Sequence, residues 1–258
     1  MIIGKNNEII KDTSKLVKSS KYRKECGLFT AEGIRICCDG VLSGYTPEIF
    51  FFTEKSKEKY LSEYEKISAV SKKIIPVSQE VFEKISDTKS PQGFLCVYNV
   101  LDKCRIPYTI NNQGNYLALE NLQDPSNLGT ILRTAEALGF DGVIMSGNCC
   151  DLYSPKVVRG SMGAVFRLPT YVPEQFTEYI REITAMGIKT YASTPRNALC
   201  ITDLNINGGV MLIGNEGSGL SEETLNACSC RVSIPMRGRA ESLNAAAAAA
   251  LLMWEMIR

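Results

Sequence analysis

Short apolar runs alternate along this chain with longer stretches in which apolar residues return every third or fourth position. The first pattern marks a buried strand and the second an amphipathic helix. In the N-terminal part a basic helical stretch leads to a strand at Phe29–Thr30 and a helix from Ile34 to Leu42 closed by glycine. A strand within PEIFFFTE (47–54), a charged amphipathic helix over 55–68 and a strand in KKIIPVS (72–78) come next. A helix from Gln79 to Ile85 and a strand in GFLCVYNV (93–100) complete a small α/β domain over residues 1–100. Residues 101–115 are polar, contain Pro107 and Gly114, and read as a linker.

A second alternation fills residues 116–258. It begins with strand YLALEN, helix Leu128–Leu138, strand GVIMSG, a loop to Pro155 and helix Lys156–Met162. Strand RLPTYV, helix 174–186 and strands IKTYAS and GVMLIGNEG follow. A helix over 221–227, strand RVSIPM and a helix from about Ser242 to Ile257 end it. Strands separated by helices predict a mainly parallel sheet covered on both faces.

Composition narrows the chemistry. With 45% hydrophobic and 22% charged residues, the 258-residue chain can bury a real core. No apolar run approaches the roughly 18 residues of a membrane span. The opening MIIGKNNEIIKDTSKL lacks an apolar core with a small-residue cleavage site, so neither a membrane partner nor a secretory signal is expected, and a cytoplasmic location is. The ten cysteines are scattered without a C-x-x-C pattern, as in a reduced thiol set. Histidine is absent altogether. That excludes Ser-His-Asp and Cys-His catalysis and histidine-ligated zinc, and no metal is expected. The chemistry must come from carboxylates, hydroxyls, amides, Arg or Lys and a cofactor.

The net charge of +1 hides an asymmetry. Residues 1–105 carry 18 Lys and Arg against 14 Asp and Glu, whereas residues 106–258 carry 11 against 14. Much of the basic excess lies near the start, where Lys18, Lys21, Arg23 and Lys24 either meet RNA phosphates or form a solvated helix face.

Three segments stand at the C-terminal ends of predicted strands, where open α/β sheets place their ligands. In LENLQDPSNLGTILRTAEALG (119–139), Asp124-Pro125 makes a turn and Ser126 or Asn127 can cap the helix that carries Arg133. A helix start offers free N–H groups to an anion, and Arg133 is a permanently charged fork suited to phosphate. An ordinary capped helix with a surface arginine would read the same way. In VMLIGNEGSGLSEE (210–223) the glycines imply that the backbone comes close to something. No G-K-[ST] follows, Glu216 would repel phosphates, and a turn capping a helix at Ser221 is the plainer reading. In VSIPMRGRAESLNAAAAAALLMWEMIR (232–258) a basic turn precedes a helix for which Ser242 is placed as cap. That helix is apolar on nearly all faces, so it belongs in a core or at a subunit interface.

Taken in order, D-P-x-N-x-G-x-x-x-R-T-A (124–135), G-N-E-x-x-G-L (214–220) and I-P-M-x-G…E-S-L-N-x-x-x-A (234–248) resemble the three motifs of the SpoU/TrmH family of RNA 2′-O-ribose methyltransferases. R-G-S-M-G-A-V-F-R-L-P (159–169) is similar to that family's connecting segment. KYRKECGLFTAEG (21–33) and VSQEVFEKISDTKSPQGFLCV (77–97) resemble weaker patterns of its substrate-binding domain. The resemblance implies an α/β fold with a C-terminal, trefoil-knotted, parallel-sheet SPOUT methyltransferase domain over 116–258. It also implies a smaller N-terminal α/β domain that binds RNA, and a homodimer formed through the knotted domain and the C-terminal helix.

The implied cofactor is S-adenosyl-L-methionine. Its pocket would involve Ser193, Thr194, Gly214, Asn215, Glu216, Gly217, Ile234, Met236, Ser242 and Leu243. The catalytic group would be Arg133 with Asn127, Glu216, Ser242 and Asn244 around it. Guanidinium hardly deprotonates, so Arg133 is expected to bind the neighbouring phosphate and acidify the hydroxyl, with Glu216 or water taking the proton. The N-terminal module points to ribosomal RNA rather than tRNA as substrate. Two other readings stay open: a non-catalytic RNA-binding protein that keeps the fold, and a nucleotide-dependent oxidoreductase using the glycines of 214–219.

Overall fold

A computed structural model describes residues 7–101, 110–195 and 197–258. Of the expected linker, residues 102–109 lie outside the described residues. The chain divides into two units, residues 1–101 with 151–167, and residues 102–150 with 168–258.

The first unit contains helices α1 (Glu8–Lys18), α2 (Ser20–Cys26), α3 (Ile34–Leu42), α4 (Glu54–Lys59), α5 (Leu61–Val70) and α6 (Gln79–Ile85). Its strands are β1 (Leu28–Glu32), β2 (Ile49–Phe52), β3 (Ile74–Pro76) and β4 (Phe94–Asn99), ordered β1-β4-β2-β3. Strand β4 pairs antiparallel with β1 and β2, while β2 and β3 run parallel. The three buried phenylalanines of β2 and all but the last residue of β4 fill the middle of this sheet, as their unbroken apolar patterns require.

The expected helix over 55–68 is in fact two. Tyr60 leaves helical geometry at φ −128° and ψ 50°, and its ring sits edge-on against Phe94. Residues 151–167 pack with the first unit as α8 (Pro155–Gly160) and α9 (Ala164–Arg167). Phe166 stacks among Phe29, Tyr45 and Tyr98, which sequence periodicity could not reveal.

Arg23 does not face solvent as the lysines around it do. Its side chain is buried, not presented to phosphates. Nε donates to Asp151 Oδ2 at 2.7 Å, and Nη1 donates to the carbonyls of Leu16 at 2.5 Å and Val17 at 3.2 Å. The C-terminal carbonyls of α1 need donors, and this guanidinium supplies them. Lys18, Lys21 and Lys24 are exposed.

The second unit is built on strands β5 (Asn115–Leu119), β6 (Gly142–Met145), β7 (Thr170–Tyr171), β8 (Thr190–Ser193), β9 (Leu199–Cys200), β10 (Gly209–Ile213) and β11 (Cys230–Ser233). All neighbours are parallel, in the order β7-β6-β5-β10-β8-β11-β9. Helices α7 (Pro125–Ala137), α10 (Phe176–Ala185), α11 (Glu222–Ala227) and α12 (Ala245–Ile257) accompany it. The two-residue β9 and the 3₁₀ turn Ile201–Asp203 were not expected, for neither carries a periodic apolar signal. The parallel arrangement gathers the three motif segments at one end of the sheet. Helix α12 packs against α7, β5 and β10 through Ala246, Ala249, Leu252, Met253 and Met256. Leu251 and Trp254 point out, 48% and 54% exposed in the single chain.

Candidate active site

Helix α7 begins where the turn chemistry demands. Asp124 Oδ1 accepts a hydrogen bond from Ser126 N at 2.8 Å, and Pro125 occupies the first helical position, where no donor is needed. Asp124 is therefore the cap, not Ser126 or Asn127. The helix buries Asn127, Leu128, Ile131, Leu132 and Ala135 and leaves Thr130 and Arg133 outside. Arg133 makes no hydrogen bond or ion pair with any described residue.

Residues 215–219, after β10, form a closed loop. Asn215 and Gly219 exchange backbone hydrogen bonds, both 3.0 Å, and Asn215 Oδ1 accepts from Gly217 N and Ser218 N. A Cβ on Gly214 would lie 2.1 Å from the Gly219 carbonyl carbon and 2.2 Å from Leu220 N. The close approach inferred from the glycines is thus to the loop's own backbone. Gly217 differs, since a Cβ there would meet only Asn215 Oδ1 at 3.6 Å. Gly214→Ala is expected to cost about 1–3 kcal/mol through enforced backbone movement. Gly217→Ala should stay within about 0.5 kcal/mol. Thermal unfolding of the two variants reads the difference, and equal melting would refute this account.

Glu216 closes the gap between the motifs. Its Oε1 accepts from Asp124 N at 3.0 Å and from Asn127 Nδ2 at 3.1 Å, while Oε2 accepts from Gln123 N at 3.1 Å. Partial burial would raise its pKa, but the N–H groups of Asp124, Asn127 and Gln123 outweigh that and hold it below the ordinary 4.5. It is a fixed carboxylate and a poor base. From the third motif, Asn244 Nδ2 donates to Asn127 Oδ1 at 3.0 Å, while Asn244 Oδ1 accepts from Ala246 N and Ala247 N. Each amide is oriented by the next. Backbone N–H groups claim the Asn244 oxygen, so its nitrogen must face Asn127, whose own nitrogen must then face Glu216. Asn244, not Ser242, therefore caps α12, and it also ties the third motif to the first and second.

Beside this network lies a cleft of about 500 Å³. Ser193 and Thr194 at the end of β8 line it, with Ile234, Met236, Ser242 and Leu243 from the segment after β11. Its walls are mostly apolar, and Glu241 is the one charged group among the lining residues. Six of the ten expected cofactor residues thus share one cleft. Gly214, Asn215, Glu216 and Gly217 form the neighbouring loop and do not line it, nor do Asn127 and Arg133. Sequence reasoning missed Glu241, although it adjoins Ser242, and Asn121, whose carbonyl accepts from Asn215 Nδ2 at 2.8 Å. Asn121 has φ 55°, and its place at a strand end in L-E-N was the available signal. Among the described residues no cluster of His, Cys, Asp or Glu is placed to hold a metal ion, and no helix is long and apolar enough to cross a membrane.

Comparison with known proteins agrees with this arrangement. The model of the SpoU rRNA Methylase family matches residues 114–254, and that of the MRM3-like substrate binding domain matches residues 7–96. The chain is 28% identical to the 23S rRNA (guanosine(2553)-2′-O)-methyltransferase RlmP of Bacillus subtilis, over 97% of this chain and 96% of that protein. It is 31% identical to an uncharacterized tRNA/rRNA methyltransferase of Synechocystis, over 100% of this chain and 93% of that protein. Among solved structures it is similar to the SpoU methyltransferase AviRb of Streptomyces viridochromogenes in complex with AdoMet. There the TM-score is 0.88 and the identity 25%, covering 98% of this chain and 97% of that one. The AdoMet-bound rRNA methyltransferase of Sinorhizobium meliloti gives a TM-score of 0.84 at 29% identity, covering 99% and 96%. With its parallel seven-stranded sheet, its N-terminal module and three motifs joined at one sheet end, the chain belongs to the SpoU rRNA Methylase family.

Proposed function

We propose that this protein transfers the methyl group of S-adenosyl-L-methionine to a ribose 2′-hydroxyl of ribosomal RNA. The observation that carries this is the hydrogen-bond chain Asn244–Asn127–Glu216, which joins all three motif segments next to a mostly apolar cleft. An intact chain of this kind argues against a non-catalytic protein that merely keeps the fold. The names of the relatives favour rRNA over tRNA, and their AdoMet complexes favour a methyl donor over a nicotinamide.

The cleft suits the cofactor. Ile234, Met236 and Leu243 offer an apolar wall to the adenosine, Ser193, Thr194 and Ser242 offer hydroxyls, and Glu241 offers negative charge to a cationic ligand. The bound cofactor supplies an electrophilic methyl group. The chain's own residues position the attacking hydroxyl: Glu216 and Asn127 fix the start of α7, and α7 presents Arg133 to the phosphate beside the target ribose. A cation there favours loss of the hydroxyl proton, which passes to water, because Glu216 has both oxygens engaged. Gly214, Asn215 and Gly217 shape the loop that borders the site.

The knotted path belongs to the same reading. It is supported by the sheet order, in which the late strand β10 enters between β5 and β8 while β11 lies beyond β8. A homodimer is supported by the outer stripe of α12, Leu251 and Trp254, whose exposed apolar surface calls for a cover. A cytoplasmic location fits a ribosomal substrate.

The test uses the full chain with methyl-labelled S-adenosylmethionine and purified 23S rRNA. Label is expected in RNA at an alkali-resistant linkage, and the cofactor alone should raise the melting temperature. Absence of both would overturn the reading.

A further inference from the structure

Three of the sequence patterns noted above have no part in the methyl-transfer site, yet they meet at one place in the first unit. The segment after β1 contributes Gly33 and Arg35, the segment after α6 contributes Thr88, Ser90 and Gln92, and α8 contributes Arg159. Together they line an open cleft of about 850 Å³. We infer that this cleft grips the sugar–phosphate backbone of the substrate RNA and is the main electrostatic anchor of the N-terminal unit. The inference rests on the proposed rRNA reading and deepens it by naming the surface.

The chemistry of the walls favours a polyanion. The one carboxylate lining the cleft, Glu32, is buried, and it accepts from Ser86 Oγ and Thr88 Oγ1, both 2.6 Å, and from Asp87 N at 2.8 Å. Its charge is committed to holding residues 86–88 in place. Arg159 also lines the cleft. One of its nitrogens, Nη2, pairs with Asp87 Oδ2 at 2.9 Å, whereas Nη1 is buried with no hydrogen-bond partner among the described residues. Arg35 is 72% exposed and only loosely tethered, 4.0 Å from Asp39. Arg35 and the partly exposed Arg159 set two cations on separate elements of the wall.

Neutral groups complete the surface. Gln92 Oε1 accepts from Ile34 N at 3.1 Å, which turns its Nε2 outward, and neither that nitrogen nor Ser90 Oγ bonds a described residue. Exposed Lys89 lies between Thr88 and Ser90 in the same loop. The geometry also explains the R-G-S-M-G pattern. Gly163 has φ 85°, a conformation that L side chains rarely adopt, so the turn after Arg159 favours glycine.

The test measures binding of full-length protein to purified 23S rRNA across a salt series, comparing wild type with Arg35→Glu, Ser90→Glu and, as a charge control, Lys84→Glu on α6. Arg35→Glu is expected to weaken binding by about tenfold or more and to flatten the slope of log K against log salt by about one. Ser90→Glu should also weaken binding, Lys84→Glu should change it by less than about twofold, and stabilisation by S-adenosylmethionine should persist in all three. If the glutamate variants unfold, Arg35→Gln and Ser90→Ala take their place, with smaller losses expected. Wild-type affinity in both cleft variants would overturn the inference, and so would an equal loss in Lys84→Glu, which would make the effect one of diffuse charge. A wild-type protein that binds the cofactor but neither binds nor methylates the RNA would instead remove the rRNA reading, and this inference with it.

Discussion

Replacing Arg133 by alanine is expected to lower the rate of methyl transfer by about 10²–10³-fold, the usual cost of removing one preorganised charge from a reacting centre. Stability should stay within about 0.5 kcal/mol, because the side chain is exposed and contributes no packing. Stabilisation by S-adenosylmethionine should also persist, since Arg133 does not line the cleft. Arg133→Lys keeps the charge and loses the planar fork, so it should recover only part of the rate. Single-turnover transfer at saturating cofactor and RNA measures all of this. Unimpaired turnover in Arg133→Lys, together with abolished turnover but normal cofactor binding in Glu216→Gln, would move the central role from Arg133 to Glu216.

The opposite result is expected at Arg23. Arg23→Ala should leave the chemistry of the second unit untouched and destabilise the first unit by about 3–5 kcal/mol, as when one partner of a buried ion pair is removed. The side chains of Arg23 and Asp151 are only 6% and 13% exposed, so Asp151 would keep a buried charge without its counter-ion. The Leu16 and Val17 carbonyls would lose their donor as well. Lys24→Ala, one residue along and exposed, should change stability by less than about 0.5 kcal/mol. Denaturant unfolding followed separately for the two units distinguishes these outcomes, since a single transition is not assured in a two-unit chain. A melting curve for Arg23→Ala that overlies that of Lys24→Ala would show that the ion pair carries no weight.

These two arginines show how far residue type goes. Both lie on helices, and both invited a phosphate-binding reading. Arg133 keeps that option because its face of α7 is open, whereas Arg23 loses it because Asp151, 128 positions away, folds onto it. The caps follow a similar rule. Local turn chemistry located the starts of α7 and α12 to within a few residues. Which side chain caps depended on where neighbouring elements left room, and the caps proved to be Asp124 and Asn244.

Local pattern alone determined the alternation of strands and helices, the parallel character of the second sheet, the absence of histidine chemistry and the three strand-end segments. Those properties follow from side-chain periodicity and residue type, which act over a few positions. The tertiary structure decided what depends on distant partners. It placed residues 151–167 with the first unit, made Gly214 a requirement of its own loop, and engaged both oxygens of Glu216 with backbone and amide donors. It also brought Arg35, Ser90 and Arg159 to a single cleft. The physical reason is that burial and hydrogen bonding are settled by whichever groups meet in space, and a chain that crosses its sheet out of order brings together residues a hundred positions apart.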